Sequence, residues 1–327
     1  MIKTAFYVNG NQKMGTGHIQ RTLILAGEFE PAPDIYYDAE LTESNIFGNA
    51  KFHTIPVRGN DELLEKISSG NYNLLINDTL DTSAEYMKVV RSRNPQMVIV
   101  NFDDVGAGTK YANLVLNPFY EGQDRENILF GEKYFVLKNI FSQLEPITIK
   151  DKVQRVFVCF GGADPADYTY QFAKAATREE FKSVQFVIVM GGSYRKSDKV
   201  RKLCEGHDNI LLCQNINNIH EYMLDSDLAI CSRGITGYEL GALGIPTMAL
   251  AENEVEDHHT FIDDKNGYRF IGRNPSEETI ISNLSELIFS SSDLRHKMQE
   301  KILKCDLRNG TKRAVELIKA EIISSAL

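Results

Sequence analysis

In the run Gly15-Thr16-Gly17-His18-Ile19-Gln20-Arg21 a single imidazole sits between the apolar stretch Ile2 to Val8 and the helical pattern Leu23, Ile24, Leu25 and Phe29. That order predicts a strand, a glycine turn and a helix. Gly15 and Gly17 would let a ligand approach the backbone there, and the first N–H groups of the helix point outward unpaired into a dipole that favours an anion. A titratable base beside an anion site is equipped for proton transfer, with Arg21 one turn on as a contact for the same ligand. A plain turn with His18 capping the helix fits these residues as well.

A second cluster, Ser232-Arg233-Gly234-Ile235-Thr236-Gly237-Tyr238-Glu239-Leu240, follows the apolar run Leu228–Cys231. A helix beginning near Thr236 would aim its N–H groups and dipole at a diphosphate, with Arg233 as a bidentate fork and Glu239 as an acceptor for ribose hydroxyls. The alternative is close packing at Gly241 and Gly244, with Gly244 ending the helix, and a surface pair of Arg233 with Glu239. A third cluster, Ala251 to His259, contains Asn253, a polar group placed to read a sugar. The adjacent His258 and His259 diverge by about 100° on a helix, and no Cys or His set is spaced to complete a metal site. Asp103 and Asp104 would bind a ligand or cap their loop with Gly106 and Gly108. Gly161-Gly162-Ala163-Asp164-Pro165 reads as a strand-to-helix turn with Asp164 as cap, its glycines available to a ligand.

The elements that position these residues alternate short apolar runs with helical patterns, the grammar of parallel sheets crossed by helices. Strands are expected near Ile2–Val8, Ile35–Tyr37, Phe52–Val57, Leu74–Asn77, Met97–Asn101 and Leu114–Asn117, and then near Val153–Phe160, Val184–Met190, Ile210–Leu212, Leu228–Cys231 and Thr247–Ala251. Helices are expected over Asp61–Ser69, Ser83–Arg93, Pro165–Ala176, Glu277–Phe289 and Asp293–Lys304. The polar stretch after Phe141 places a boundary near residue 148, giving domains 1–148 and 149–327. The fold class is therefore α/β: two Rossmann-like αβα domains, expected to face one another across a cleft.

Composition narrows the partners. A chain of 327 residues, 43% hydrophobic, has material for two cores, and a net charge of −9 argues against nucleic acid or an anionic membrane surface. No stretch of eighteen apolar residues occurs, so no membrane insertion is expected. Five scattered cysteines and the lack of a leader pattern lead to a cytoplasmic expectation.

Several motifs together carry a family resemblance: Gly15-Thr16-Gly17-His18 with Arg21, Phe102-Asp103-Asp104, Asn117-Pro118, Gly131 with Tyr134 and Leu137, Phe160 to Pro165, and Tyr238-Glu239-Leu240 with Leu243-Gly244-Ile245-Pro246. In this order the chain resembles the UDP-sugar hydrolases of pseudaminic acid biosynthesis and the related spore coat polysaccharide glycosyltransferase-like proteins. The resemblance implies a GT-B fold. It implies that His18 activates water for attack on the anomeric carbon, that the nucleoside diphosphate leaves into the C-terminal domain, and that neither a metal nor another cofactor is required. An ordinary imidazole pKa of about 6.5 suits that duty. The chain departs from the family pattern at Ser232 to Thr236 and at Lys138 to Phe141.

Three functions remain open on the sequence: a nucleotide-sugar hydrolase, most simply of a UDP-sugar; a glycosyltransferase whose acceptor hydroxyl is deprotonated by the same histidine; and a binding protein without turnover. The site residues expected for them are His18 as base; Gly15, Gly17, Arg21, Asp103 and Asn253 toward the substrate; and Gly161, Gly162, Ser232, Arg233, Gly234, Thr236, Gly237 and Glu239 toward the nucleotide.

Overall fold

The computed structural model describes residues 2–11, 17–42, 44–48 and 51–325, so Gly15 and Thr16 of the first motif lie outside the described residues. The chain divides into two compact units, Met1–Asn139 with Asn309–Leu327, and Ile140–Arg308.

The first unit is built on a parallel sheet of β1 (Thr4–Val8), β2 (Asp34–Asp38), β3 (His53–Val57), β4 (Leu74–Asp78), β5 (Val98–Phe102), β6 (Leu114–Asn117) and β7 (Ile128–Phe130). Its spatial order is β3-β2-β1-β4-β5-β6-β7. Side chains alternate along a strand, and here both faces are covered. Phe6 and Val8 pack with Ile19 and Leu25 of the helix Gly17–Ala26 and with Phe29 just beyond it, whereas Ala5 and Tyr7 pack with Leu63, Leu64 and Ile67 of the helix Gly59–Ser69 and with Met87 and Val90 of the helix Ala84–Arg93.

The second unit repeats the plan with β8 (Arg155–Cys159), β9 (Gln185–Met190), β10 (Ile210–Gln214), β11 (Leu228–Ser232), β12 (Thr247–Ala251) and β13 (Arg269–Arg273). The order is β10-β9-β8-β11-β12-β13, again parallel throughout. In both sheets the strand order reverses beside the first strand, between β1 and β4 and between β8 and β11. Such a reversal leaves a crevice at the carboxyl ends of the two strands, because their crossover helices go to opposite faces.

Two strands lack a sequence signal. β7 is a three-residue edge strand whose residues are half-buried, and β13 is an edge strand whose register slips where it pairs with β12. The helix expected from Pro165 begins instead at Tyr168. Asp164 and Asp167 both take left-handed backbone angles, and the Asp164 carboxylate accepts the N–H groups of Tyr168 and Thr169 at 2.9 and 2.6 Å.

The division also differs from a single cut near 148. The helix Gly310–Ser325 returns to the first unit, where Ala314, Val315 and Ile318 pack against the face that holds Phe6 and Phe102. Thr311 clamps its start: Oγ1 donates to the Leu137 carbonyl and accepts from the Leu137 N–H, each at 2.9 Å. Gly310 lies so close to Phe135 that a Cβ would run into the Phe135 carbonyl oxygen. Gly310→Ala should therefore destabilise the first unit by about 1–3 kcal/mol, read as a lower denaturant midpoint. An unchanged midpoint would mean that the return helix is not held there.

Candidate functional site

The first constellation sits at the reversal between β1 and β4. His18 is the second residue of the helix Gly17–Ala26, which has no acidic residue in its first turn, and Asp78 is the last residue of β4. His18 Nδ1 lies 2.5 Å from Asp78 Oδ1. Arg21, one turn along from His18, grips the same carboxylate: Nε donates to Oδ2 at 2.7 Å and Nη2 to Oδ1 at 2.6 Å. Its Nη1 donates to Asp103 Oδ2 at 2.5 Å, just beyond β5. Both carboxylates and the guanidinium are buried, while the imidazole remains 13% exposed.

Electrostatics fixes the proton in this group. Burial by itself would raise the Asp78 carboxyl, but the charges and hydrogen bonds of Arg21 and His18 outweigh it and hold Asp78 at about 2. An ionised oxygen 2.5 Å from a ring nitrogen calls for a hydrogen between them, so in the neutral ring Nδ1 carries the proton and Nε2 keeps the lone pair. A neutral ring held in this way has the chemistry of a general base.

Arg21 and Asp103 were expected to touch substrate, and both are instead consumed internally. Burial acts against the Arg21 charge, yet Asp103 and Asp78 raise its pKa above the ordinary value. Asp103 is 1% exposed and its Oδ1 accepts the Phe119 N–H at 3.4 Å. Asp104 is a loop cap: its carboxylate accepts from the Thr82 N–H and hydroxyl, the Asn101 amide and the Gly106 N–H at 2.6–3.0 Å. Sequence reasoning missed Asp78. The signal was the pair Asn77-Asp78 at the carboxyl end of an apolar strand, the edge at which such sheets bind ligands.

The second constellation sits at the reversal between β8 and β11. Gly161, in the left-handed region, and Gly162 follow β8, and a Cβ on either would meet open space. Ser232 ends β11, and Gly234 precedes the helix Ile235–Ala242, whose N-terminus has no side-chain cap and no acidic residue in its first turn. Gly17, Thr236 and Gly234 are half-buried, and Glu239 is buried. The Cys159 thiol at the end of β8 is pushed up to about 12 by burial and then by the fields of Glu239, Glu252 and Asp164, which places those three carboxyls around one strand end.

Three expected nucleotide or sugar contacts have other partners. Arg233 is buried, and its guanidinium donates to the Ile262 and Asp257 carbonyls and pairs with Asp263 at 2.9 Å, so it holds the 257–263 loop rather than presenting a fork. Gly237 is a packing glycine where a Cβ would run into Ile262. Asn253 caps the short helix Glu254–Asp257 by accepting the Glu256 N–H at 3.0 Å. The surface pair of Arg233 with Glu239 is also excluded, since both are buried.

Sequence reasoning also passed over Glu252 and Glu256. Burial, then Glu256 and Asp164, push the Glu252 carboxyl from its ordinary 4.5 up to about 9 against a hydrogen bond from Ser232, and burial raises Glu256 as well. At neutral pH Glu252 keeps its proton and can donate.

Residues 156–318 match the glycosyltransferase family 28 C-terminal domain. Over 98% of the chain and all of the other, the structure resembles MurG of Acinetobacter baumannii with a TM-score of 0.71 at 13% identity. The fold is GT-B. Anabaena HepE, solved in complex with UDP-glucose, is similar with a TM-score of 0.60 at 12% identity over 98% of this chain and all of that one. In sequence, an uncharacterised protein of Methanocaldococcus jannaschii is 26% identical over 78% of this chain, which spans 57% of that relative's length. The spore coat polysaccharide biosynthesis protein SpsG of Bacillus subtilis is 24% identical over 90% of this chain and 91% of its own. The UDP-2,4-diacetamido-2,4,6-trideoxy-beta-L-altropyranose hydrolase of Campylobacter jejuni is 22% identical over 71% and 85%. By its domain and relatives the chain is a GT-B enzyme. Among the described residues no helix is long and apolar enough to cross a membrane.

The Glu252 carboxyl gives a pH signature. Its folded value lies above the unfolded one, so its contribution to stability is fully present below about 4.5 and is lost as pH rises through about 9. Glu252→Gln keeps a neutral side chain without that loss. The melting temperature of the variant relative to the native chain should rise steadily from pH 5 to pH 9; a difference that does not change with pH would show that Glu252 ionises normally.

Proposed function

We propose that the chain is a metal-independent nucleotide-sugar hydrolase that releases UDP from a UDP-linked amino or deoxy sugar, in the making of a bacterial-type surface glycan or nonulosonic acid. The observation that carries the reading is the Asp78 carboxylate on His18 Nδ1, which leaves Nε2 as a base at the start of the helix Gly17–Ala26. Nε2 takes a proton from water as the oxygen bonds to the anomeric carbon. The bond from that carbon to the diphosphate oxygen breaks, its electron pair leaves with UDP, and the imidazolium returns its proton to solvent. Products are the free sugar and UDP.

Nucleotide binding falls to the second unit. The helix start at Ile235 offers N–H groups and a dipole to the diphosphate, with Gly161 and Gly162 giving it room. Glu239 accepts from the ribose hydroxyls. The resemblance of 71% of the chain to a UDP-sugar hydrolase and of 90% to SpsG supports this reading, as does a similar fold solved with UDP-glucose. Five free cysteines are consistent with a cytoplasmic enzyme. The match to a glycosyltransferase domain favours one second reading, in which an acceptor hydroxyl replaces water at the same base.

Purified protein incubated with UDP- and CMP-linked sugars, without acceptor and with or without EDTA, should release UDP in both conditions. His18→Ala should lower the rate by about 10²–10⁴-fold and leave UDP affinity unchanged. Glu239→Ala should weaken UDP binding by more than about tenfold. Release only when a glycan or sugar acceptor is added would identify a transferase, and full turnover by His18→Ala would remove His18 as the base.

A further inference from the structure

We infer that Asp78 is a positioning residue for the reaction, fixing which nitrogen of His18 acts as base, with Arg21 and Asp103 as the clamp that fixes Asp78. The inference rests on the reading of His18 as the base and reaches residues that no resemblance assigned.

The carboxylate of Asp78 is filled by donors. Oδ1 takes the His18 Nδ1 hydrogen and one from Arg21 Nη2, and Oδ2 takes the Arg21 Nε hydrogen. Arg21 cannot swing away, because Nη1 is held by Asp103 and the guanidinium lies 4.9 Å from the centre of the Phe102 ring. A carboxylate held at both oxygens cannot rotate, so neither can the ring that it holds. Every hydrogen bond here comes from a rigid element: the first turns of one helix, the last residue of β4 and the first residue after β5.

The same group sets the charge that an imidazolium would meet. Asp78 faces the ring from β4 and favours the protonated form. Arg21 opposes it from the same helix, with Nη2 3.2 Å from Nδ1 and 2.6 Å from Asp78 Oδ1. Asp103 sits behind Arg21 and offsets its charge. Tyr120, beyond β6, stays a neutral phenol, raised by burial and then by Asp103 and Asp81. Two carboxylates against one guanidinium leave the pocket receptive to a positive ring, which lets His18 take a proton from water and hold it.

Replacing Asp78 by Asn puts an amide NH₂ where all the neighbours are donors. His18 Nδ1 then either loses its acceptor or becomes one itself, which moves the proton to Nε2 and removes the base. Asp104 is the control, a buried carboxylate one residue from Asp103 that caps the Thr82 and Gly106 loop and bonds to neither His18 nor Arg21.

The experiment pairs a spectrum with rate and binding measurements. In ¹⁵N NMR of the native chain, with His18→Ala to assign the signal, His18 should show its hydrogen on Nδ1 at pH 8. Finding it on Nε2 would overturn the inference whether or not the protein turns over any sugar. In Asp78→Asn, the spectrum should show the hydrogen moved to Nε2, and kcat for UDP release should fall roughly a hundredfold or more with the Kd for UDP unchanged. Asp104→Asn should lose thermal stability and leave the hydrogen on Nδ1. The same change of tautomer in both variants would reduce Asp78 to a structural role. Absence of UDP release from a native chain with Nδ1 protonated would instead overturn the hydrolase reading and leave the positioning intact.

Discussion

The first unit depends on one buried cation. Arg21 carries its charge into the interior beneath the β1 helix, and two carboxylates from neighbouring strands meet it at 2.5–2.7 Å. Such a group costs desolvation energy that good geometry only repays, and removing one partner leaves an uncompensated charge worth about 3–5 kcal/mol. That constraint ties together elements far apart in sequence. Helix, β4 and the β5 loop must all reach the same point, and His18 is placed by the carboxylate that Arg21 already holds.

The two strand-order reversals use acids in opposite ways. In the first unit a buried guanidinium keeps Asp78 at about 2, so the carboxylate is a fixed charge that orients a base. In the second unit, burial and mutual repulsion push Glu252 up to about 9, and Asp164 and Glu256 shift the same way. Arg233 does little to prevent this, because its donors go to the 257–263 loop. With Glu252 protonated, one negative charge fewer faces the start of the helix Ile235–Ala242, in keeping with the diphosphate site proposed there. One strand-order reversal thus holds an ionised carboxylate against a guanidinium, and the other holds a protonated one.

Much of the architecture was legible from local pattern. Central strands read as continuous apolar runs because parallel sheets are buried on both faces, and β4 and β12 fall where such runs predict them. The edge strands β7 and β13 escaped notice because an edge needs less apolar surface. The return helix Gly310–Ser325 also escaped, since its partners Phe6 and Phe102 lie some two to three hundred residues away. His18 and the glycines beside it were visible because a strand-to-helix turn has a composition of its own.

The sequence by itself determined the parallel α/β plan, the helix start that carries His18 and the helix start that follows β11, all of which follow from residue types within a few positions of one another. Only the tertiary structure decided what the charges do. Arg21, Asp103, Arg233 and Asn253 have the chemistry to bind a ligand, and the fold occupies each of them with a partner of its own. Asp78, unmarked in the chain, acquires its role because β4 lies beside β1. Strand order brings those carboxylates and cations within hydrogen-bond distance, and order is a property of long-range packing that no local run of residues encodes.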